Sequence, residues 1–193
     1  MRSSAGIVAF ALAVSVAACG QGNGQALHSS TDRSTSSAPA PLVSFDQIPG
    51  QFPGGEPNSS GASAAPVGGC VSLIGPRVNP TLAVVECGSA DNGYRVVQRV
   101  ATPDQCVSDV DQKFYLNPDE GQWTACLDYM WSSADCLSIG ETTAVRVSCD
   151  DPQAHSREKA TQVLVGSVSA ADCPSGGFAH PARRFTICTE TQS

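Results

Sequence analysis

The sequence predicts a mostly β domain of the α+β class, made of two related, disulfide-linked β-rich repeats of which the first carries a short helix. Of the 9 cysteines, eight lie between positions 70 and 188, an even number that is typical of an exported disulfide framework. The residues around these cysteines recur in the same order in two segments, about 69–129 and about 135–190. Short valine-rich runs between the cysteines are typical of strands.

The chain begins with a positive residue and an apolar run over residues 5–18. This run is too short to span a bilayer, which takes about 20 apolar residues, and is typical of an export signal. Residues 1–18 are therefore predicted to be a signal peptide. The run ends in Val16-Ala17-Ala18-Cys19, which resembles a bacterial lipobox. The resemblance implies cleavage before Cys19 and acylation of its thiol, with diacylglycerol and palmitate chains; an unmodified or disulfide-bonded Cys19 is the alternative.

Residues 19–69 are rich in Gly, Ser, Pro, Ala and Thr and contain few charges. A segment of this composition buries too little apolar surface to offset its ordering entropy, so it is predicted to be a disordered tether. With roughly 50 residues, its typical span is on the order of 40 Å. A folded domain over residues 70–190 would then stand clear of the lipid surface.

The residues that flank the cysteines support the repeat. Gly69-Cys70-Val71-Ser72-Leu73 corresponds to Asp135-Cys136-Leu137-Ser138-Ile139, and Trp123-Thr124-Ala125-Cys126 corresponds to Phe185-Thr186-Ile187-Cys188. The third strand, Tyr94-Arg95-Val96-Val97, is matched with residues 161–165. Each repeat is thus expected to contain four strands and a capped turn or helix. The alternative is that eight cysteines divide into two sets of four by chance.

The short helix is predicted in the first repeat only. In Thr102-Pro103-Asp104-Gln105 the threonine is a suitable cap, proline suits the first helical position, and glutamine can reach back to the cap. Val107, Val110 and Phe114 would then share one face. In the second repeat two glycines follow Cys173 closely, which leaves room only for a turn.

The eight domain cysteines are expected to pair within the repeats. In an antiparallel hairpin the start of the first strand lies opposite the end of the second, and a disulfide needs such proximity. The favoured pairs are Cys70 with Cys87, Cys136 with Cys149, Cys106 with Cys126, and Cys173 with Cys188. Eight cysteines allow 105 pairings, and the sequence does not select one.

Composition and spacing argue against several classes of function. With 18 acidic and 11 basic side chains and a net charge of -7, the chain lacks the cation excess that binds nucleic acid. A zinc site would need cysteines spaced by two to four residues, and the closest domain pair, Cys126 and Cys136, is more widely separated. No metal and no cofactor are expected.

The chain resembles the LppU-type lipoproteins of mycobacteria and related actinobacteria. The resemblance depends on the signal and tether and on four stretches of the domain. These are Gly69-Cys70-Val71, Val85-Glu86-Cys87-Gly88-Ser89, Tyr94-Arg95-Val96, and Asp172-Cys173-Pro174 through Phe185-Thr186-Ile187-Cys188. It implies lipid anchoring at the outer face of the cytoplasmic membrane, in the cell envelope. It implies no catalytic residue.

Two places are candidate binding sites. Trp131 follows the last strand of the first repeat, and strand alternation from Trp123 places it in an exposed position where it could anchor a partner. The loop that contains His180, Arg183 and Arg184 could present a base and two cations. The alternatives are an aromatic core between the repeats and a surface loop whose arginines are solvated or paired with nearby acids.

Three functions follow from these features. The favoured hypothesis is a non-enzymatic envelope lipoprotein that binds a protein or a wall component. The second is a cell-envelope hydrolase or wall-modifying enzyme that uses Asp172, Ser175 and His180 as a nucleophilic site. The third is a structural or antigenic surface protein without a dedicated ligand. The first two differ in whether His180 meets a hydroxyl or a carboxylate within hydrogen-bond reach.

Overall fold

The computed structural model describes residues 43–117, 119 and 121–193, which form two five-stranded sheets. The first sheet contains β1 (Cys70–Ile74), β2 (Thr81–Val84), β3 (Tyr94–Val100), β4 (Gln112–Leu116) and β5 (Trp123–Tyr129). The second contains β6 (Cys136–Ile139), β7 (Ala144–Val147), β8 (Arg157–Val165), β9 (Gly177–His180) and β10 (Phe185–Gln192). The predicted signal peptide, Cys19 and the tether up to residue 42 lie outside the described residues.

The two sheets have the same strand order. The first runs β2-β1-β3-β5-β4 and the second runs β7-β6-β8-β10-β9, and every pair of neighbours is antiparallel. Both sheets also have a register shift of the bulge type between the third and fifth strands of the set. The prediction of a mostly β, disulfide-linked domain is confirmed.

Strand pairing corrects the sequence match of the third strands. Gln98 of β3 lies opposite Cys126, and Gln162 of β8 lies opposite Cys188. Counting back through the bulge, Val96 corresponds to Ala160, so the match of residues 94–97 with 161–165 was displaced by three positions. Runs of alternating polarity resemble themselves when shifted, whereas the position opposite a disulfide cysteine fixes the register.

The predicted helix is reduced to a three-residue 3₁₀ turn, Pro103–Gln105, and the second sheet has a similar turn at Ala170–Asp172. The predicted cap contact is present, because Gln105 Oε1 accepts a hydrogen bond from the backbone nitrogen of Thr102 at 3.1 Å. The helix does not continue, because Phe114 lies in β4 and packs in the first core. A strand position buries this ring more completely than one isolated helical turn could.

The two larger hydrophobic cores of the described residues lie against the two sheets, and each contains one tryptophan. Trp123, Tyr94 and Phe114 belong to the first core, and Trp131 and Phe185 belong to the second. The half-buried Tyr129 contacts both cores. Its ring is stacked at 5.5 Å on Tyr94 and meets Phe178 edge to face at 5.5 Å. The cores therefore join through an aromatic contact.

Four disulfides close loops within the sheets. They are Cys70–Cys87, Cys106–Cys126, Cys136–Cys149 and Cys173–Cys188. These are the pairs that hairpin geometry favours. One pair in each sheet joins the first strand to the loop that follows its hairpin partner, and the other joins a 3₁₀ turn to the long last strand.

Residues 43–69 pack on the domain, which corrects the predicted tether boundary at residue 69. Ile48 is 6% exposed and belongs to the second core, and Ala65 is fully buried in the first core. Gly61 has a positive φ of 73°, and a Cβ at this position would overlap the ring of Trp123. Composition suggests disorder here, but the two cores supply the apolar surface that this segment lacks.

Reduction of the disulfides is expected to unfold both sheets. Each link closes a loop of 13 to 20 residues, which corresponds to about 3 kcal/mol in the chain-entropy model. Four such links rival the stability of a typical domain, about 5–15 kcal/mol. After complete thiol reduction, near-ultraviolet circular dichroism should be lost and tryptophan fluorescence should shift to the red. Unchanged spectra would refute this dependence.

Candidate functional site

A cavity of about 580 Å³ lies beside the second sheet. Its walls are formed by residues 43–46, 130–133 and 161–164, with Cys87, Gly88 and Arg146 completing them. The volume falls in the range of about 300–1,000 Å³ that is usual for ligand sites in proteins. The apolar walls and the hydroxyl-bearing residues of the lining suit a ligand that has both apolar and hydrogen-bonding groups.

Two hydrogen-bond donors in the cavity wall have no partner among the described residues, Trp131 Nε1 and Arg146 Nε. The rest of the Arg146 guanidinium is bound, because Nη1 lies 3.2 Å from Asp135 Oδ2 and Nη2 donates to the Met130 carbonyl at 3.2 Å. Buried donors without partners are uncommon in native structures. Both atoms have almost no accessible surface, so they lie behind the surface that a ligand in the cavity would meet.

Trp131 is buried, which corrects its predicted exposure. The side chain is 3% exposed, and its ring centroid lies 4.9 Å from that of Phe178 and 5.8 Å from that of Tyr129. Strand alternation from Trp123 would expose Trp131 only if β5 continued in the same direction. Instead the Trp131 backbone nitrogen donates to the Tyr129 carbonyl at 3.2 Å, a tight turn that directs the indole into the second core.

His180 is also buried, at 1% exposure, and its ring stacks on Phe185 at 4.3 Å. Its Nδ1 lies 2.8 Å from the Asp109 carbonyl oxygen and 2.8 Å from Arg183 Nη2. Both N–H groups of Nη2 have other acceptors, on Asp109 and Asp128. Nδ1 therefore carries the proton and donates to the Asp109 carbonyl. Burial lowers the pKa of His180, although nearby acidic groups oppose the shift.

Arg183 binds two carboxylates of the first sheet's half of the chain. Its Nε lies 2.8 Å from Asp109 Oδ1, and its Nη1 and Nη2 lie 2.6 and 2.9 Å from the two oxygens of Asp128. Nη1 also donates to the Gln51 carbonyl at 2.9 Å. The side chains of Arg183, Asp109 and Asp128 are each at most 4% exposed. The predicted surface loop is thus a buried ionic link between the halves.

Arg184 lies next to this link but remains exposed. Its backbone has a positive φ of 60°, and its side chain makes a long contact of 3.4 Å to the Gly166 carbonyl. The three residues that were grouped as one candidate binding loop therefore have different environments. His180 and Arg183 point into the molecule, and Arg184 is the member that a partner could reach.

Asp111 completes the buried ionic cluster and was not identified from the sequence. Its Oδ2 accepts a hydrogen bond from the Tyr129 backbone nitrogen at 2.8 Å. Burial raises the pKa of Asp111 well above its ordinary value, and the nearby Asp128 raises it further. Burial also acts to raise the pKa of Asp109, but hydrogen bonds from Arg183 outweigh it and the pKa is lowered. The two carboxyl groups are thus shifted in opposite directions, the pKa of Asp111 upward and that of Asp109 downward.

Asp111, Asp128 and His180 bring ligand atoms within 4.8 Å of one another, as a metal site would. However, Arg183 already binds both oxygens of Asp128. A divalent cation at this point would meet the guanidinium charge at close range in a buried environment. The cluster suits an ionic link between the two sheets better than a metal centre.

The proposed nucleophilic site of Asp172, Ser175 and His180 is not assembled. The Asp172 carboxylate accepts a hydrogen bond from Ser167 Oγ at 2.6 Å. Ser175 is exposed, whereas His180 is buried against Asp109 and Arg183. Within the described residues, none of the three is hydrogen-bonded to another. Ser175 lies in the bend before β9 and His180 is the last residue of β9, so the length of this strand separates the serine from the imidazole.

Comparison with family models, with curated proteins and with solved structures finds no match to this chain. The cavity and the ionic cluster are therefore the features that bear on function, because a fold alone does not determine activity.

Replacing Arg183 tests the ionic link. Arg183→Met should lower the free energy of unfolding by about 3–5 kcal/mol, because two buried carboxylates lose their partner. The neighbouring Arg184→Met is the matched control and should change it by less than about 0.5 kcal/mol. Urea denaturation followed by tryptophan fluorescence measures both. Equal effects of the two substitutions would contradict the assigned link.

Asparagine substitutions test the protonation states in the cluster. A carboxyl whose pKa is raised on folding destabilises the fold as pH rises above its unfolded pKa. Asp111→Asn should therefore gain stability relative to wild type in that window, by up to about 1.4 kcal/mol per pH unit. Asp109 has a lowered pKa and stabilises above its unfolded value. Asp109→Asn should therefore destabilise at neutral pH, and the loss should vanish as pH falls. Urea denaturation at several pH values measures both; parallel pH profiles would refute the assignment.

Proposed function

We propose that the chain is a membrane-anchored lipoprotein of the cell envelope whose two-sheet domain is a non-enzymatic binding module. The lipobox-like ending Val16-Ala17-Ala18-Cys19 supports the anchor. Two or more acyl chains give firm membrane attachment, where a single chain is marginal. Within the described residues, no helix has the length and apolarity needed to cross a membrane. Attachment would then depend on Cys19, at the outer face of the cytoplasmic membrane.

The binding role is carried by the cavity beside the second sheet. It has the size of a ligand site, and its lining combines apolar residues with hydroxyl-bearing ones, as small-molecule and peptide sites do. The enzymatic alternative has lost its supporting arrangement, because Asp172 binds Ser167 and His180 belongs to the ionic cluster. A binding module accounts for the cavity without a reactive group.

An internal duplication is part of the proposal. The common strand order, the common bulge and the matching disulfides support descent of both halves from one ancestral unit. This agrees with the resemblance to LppU-type lipoproteins, which implies a cell-envelope location. A ligand site in one half would be a later specialisation of a scaffold that is common to both.

Photocrosslinking in the bacterial host that exports the protein tests the anchor and the binding role together. A photoreactive amino acid at position 133, on the exposed wall of the cavity, should give a discrete adduct in the membrane fraction. The same amino acid at position 78, which is 91% exposed and outside the cavity lining, is the matched control. Cys19→Ser should transfer the protein, and any adduct, to the soluble fraction.

Two outcomes would contradict the proposal. Equal crosslinking from positions 133 and 78 would indicate a surface protein without a dedicated site, which is the structural or antigenic alternative. Retention of Cys19→Ser in the membrane fraction would contradict lipid anchoring through this residue.

A further inference from the structure

In the first sheet, the outer edge of β3 is covered by the chain's own preceding segment, residues 58–69. Gly68 donates to the Val96 carbonyl at 2.8 Å, and Val96 donates to the Gly69 carbonyl at 2.9 Å. Farther along, the Asn58 nitrogen donates to the Arg99 carbonyl at 2.9 Å. The segment crosses this edge as a series of turns and contacts it at Val96 and Arg99, beyond the two residues of β3 that pair with β1.

β8 is the counterpart of β3, and the common position opposite the last-strand cysteine fixes the correspondence. Val96 corresponds to Ala160 and Arg99 corresponds to Val163. β6 pairs with only two residues of β8, Arg157 and Glu158. In the same way, β1 pairs with only two residues of β3. Both sheets therefore leave the second part of this strand without a partner from their own first strand.

In the part of the chain that the structure describes, no segment covers the edge of β8. Among the described residues outside the strand ladders, none makes a backbone hydrogen bond to residues 159–165. Gly166 donates to the Arg184 carbonyl on the side of β10. Because backbone groups alternate sides along a strand, Leu164 also faces β10, and Val163 faces the opposite edge.

The cavity runs along this open edge. Four consecutive residues, 161–164, line it. Successive side chains of a strand point to opposite faces, so a cavity that all four line follows the edge of the strand rather than one face. The opposite wall is formed by residues 130–133, the short connection that leads from β5 to β6. This connection is too short to supply a counterpart of residues 58–69.

We propose that the edge of β8 between Ala160 and Val165 is a strand-addition site that binds an extended, small-residue segment of a partner polypeptide. The inference rests on the proposed binding function and names its ligand class. Unpaired strand edges are templates for added strands, which bind through main-chain hydrogen bonds. The edge is about 16 Å long, which suits five or six residues of an extended peptide.

The residues that cover the equivalent edge of β3 indicate which side chains would fit at the edge of β8. Residues 58–69 read Asn-Ser-Ser-Gly-Ala-Ser-Ala-Ala-Pro-Val-Gly-Gly, so small side chains fill the equivalent place there. In that sheet Arg99 Nη1 donates to the Ala65 carbonyl at 2.7 Å. At the second edge Val163 replaces this arginine, so an occupant there would be held by main-chain hydrogen bonds and apolar contacts.

A display library of random twelve-residue peptides tests the proposal. It is selected against the chain from residue 19 onwards carrying Cys19→Ser, and an enriched peptide is synthesised with a fluorescent label. Ser133→Trp and Ser44→Trp, which fill the cavity from exposed positions of its lining, should each weaken binding by about tenfold or more in fluorescence anisotropy. Ser175→Trp, an exposed serine outside the lining, should change it by less than about twofold.

N-methylation of the peptide amides, one at a time, identifies strand addition. Only alternate amides face the edge of β8, so binding should be lost with a period of two residues along the peptide. Loss without this period, equal binding to Ser133→Trp and Ser175→Trp, or the absence of any enriched peptide would overturn the inference. Enriched sequences that match residues 19–42 would indicate that the chain's own tether binds the edge of β8, and would overturn the proposal of a partner polypeptide.

Failure of the inference is distinguishable from failure of the proposed function. A specific adduct from position 133 to a sugar or lipid, without a binding peptide, would keep the binding module and overturn strand addition. The absence of both peptide binding and a specific adduct would overturn both.

Discussion

The buried ion pairs of Arg183 determine how the two halves of the domain meet. One guanidinium from the loop after β9 binds Asp109 and Asp128 of the other half, and it also binds the Gln51 carbonyl of the segment that precedes the sheets. Removing two carboxylates and a guanidinium from water is costly, and their mutual hydrogen bonds offset this cost only in one arrangement. The link therefore favours one orientation of the two halves.

The two sheets have the same strand order but differ at one edge, and the proposed binding site depends on this difference. In the first sheet, residues 58–69 complete the edge of β3, and Arg99 fastens them through the Ala65 carbonyl. In the second sheet, the connection between β5 and β6 is too short to do the same, and the edge of β8 borders a cavity. Of two sheets with the same strand order, one is thus closed by the chain's own segment, whereas the other has an edge that is unpaired among the described residues.

The sequence was sufficient for the features that depend on local spacing. The disulfide pairs follow from hairpin geometry, and strand character follows from short valine-rich runs. It was insufficient where distant residues decide the outcome. His180 and Arg183 are buried because Asp109 and Asp128, which lie 74 and 55 positions from Arg183, supply the counter charges. Residues 43–69 have the composition of a tether, yet they pack because the exposed edge of β3 and the indole of Trp123 give them a surface.

Native-state hydrogen exchange of single backbone amides tests the central claim, that one strand edge is filled and its counterpart is open. Val96 donates to Gly69 in the first sheet, whereas its counterpart Ala160 makes no backbone hydrogen bond outside the strand ladders among the described residues. In the protein without added ligand, the Ala160 amide should exchange many times faster than the Val96 amide, while Leu164, which faces β10, should be protected. Equal protection of Val96 and Ala160 would mean that both edges are already paired and would contradict the account.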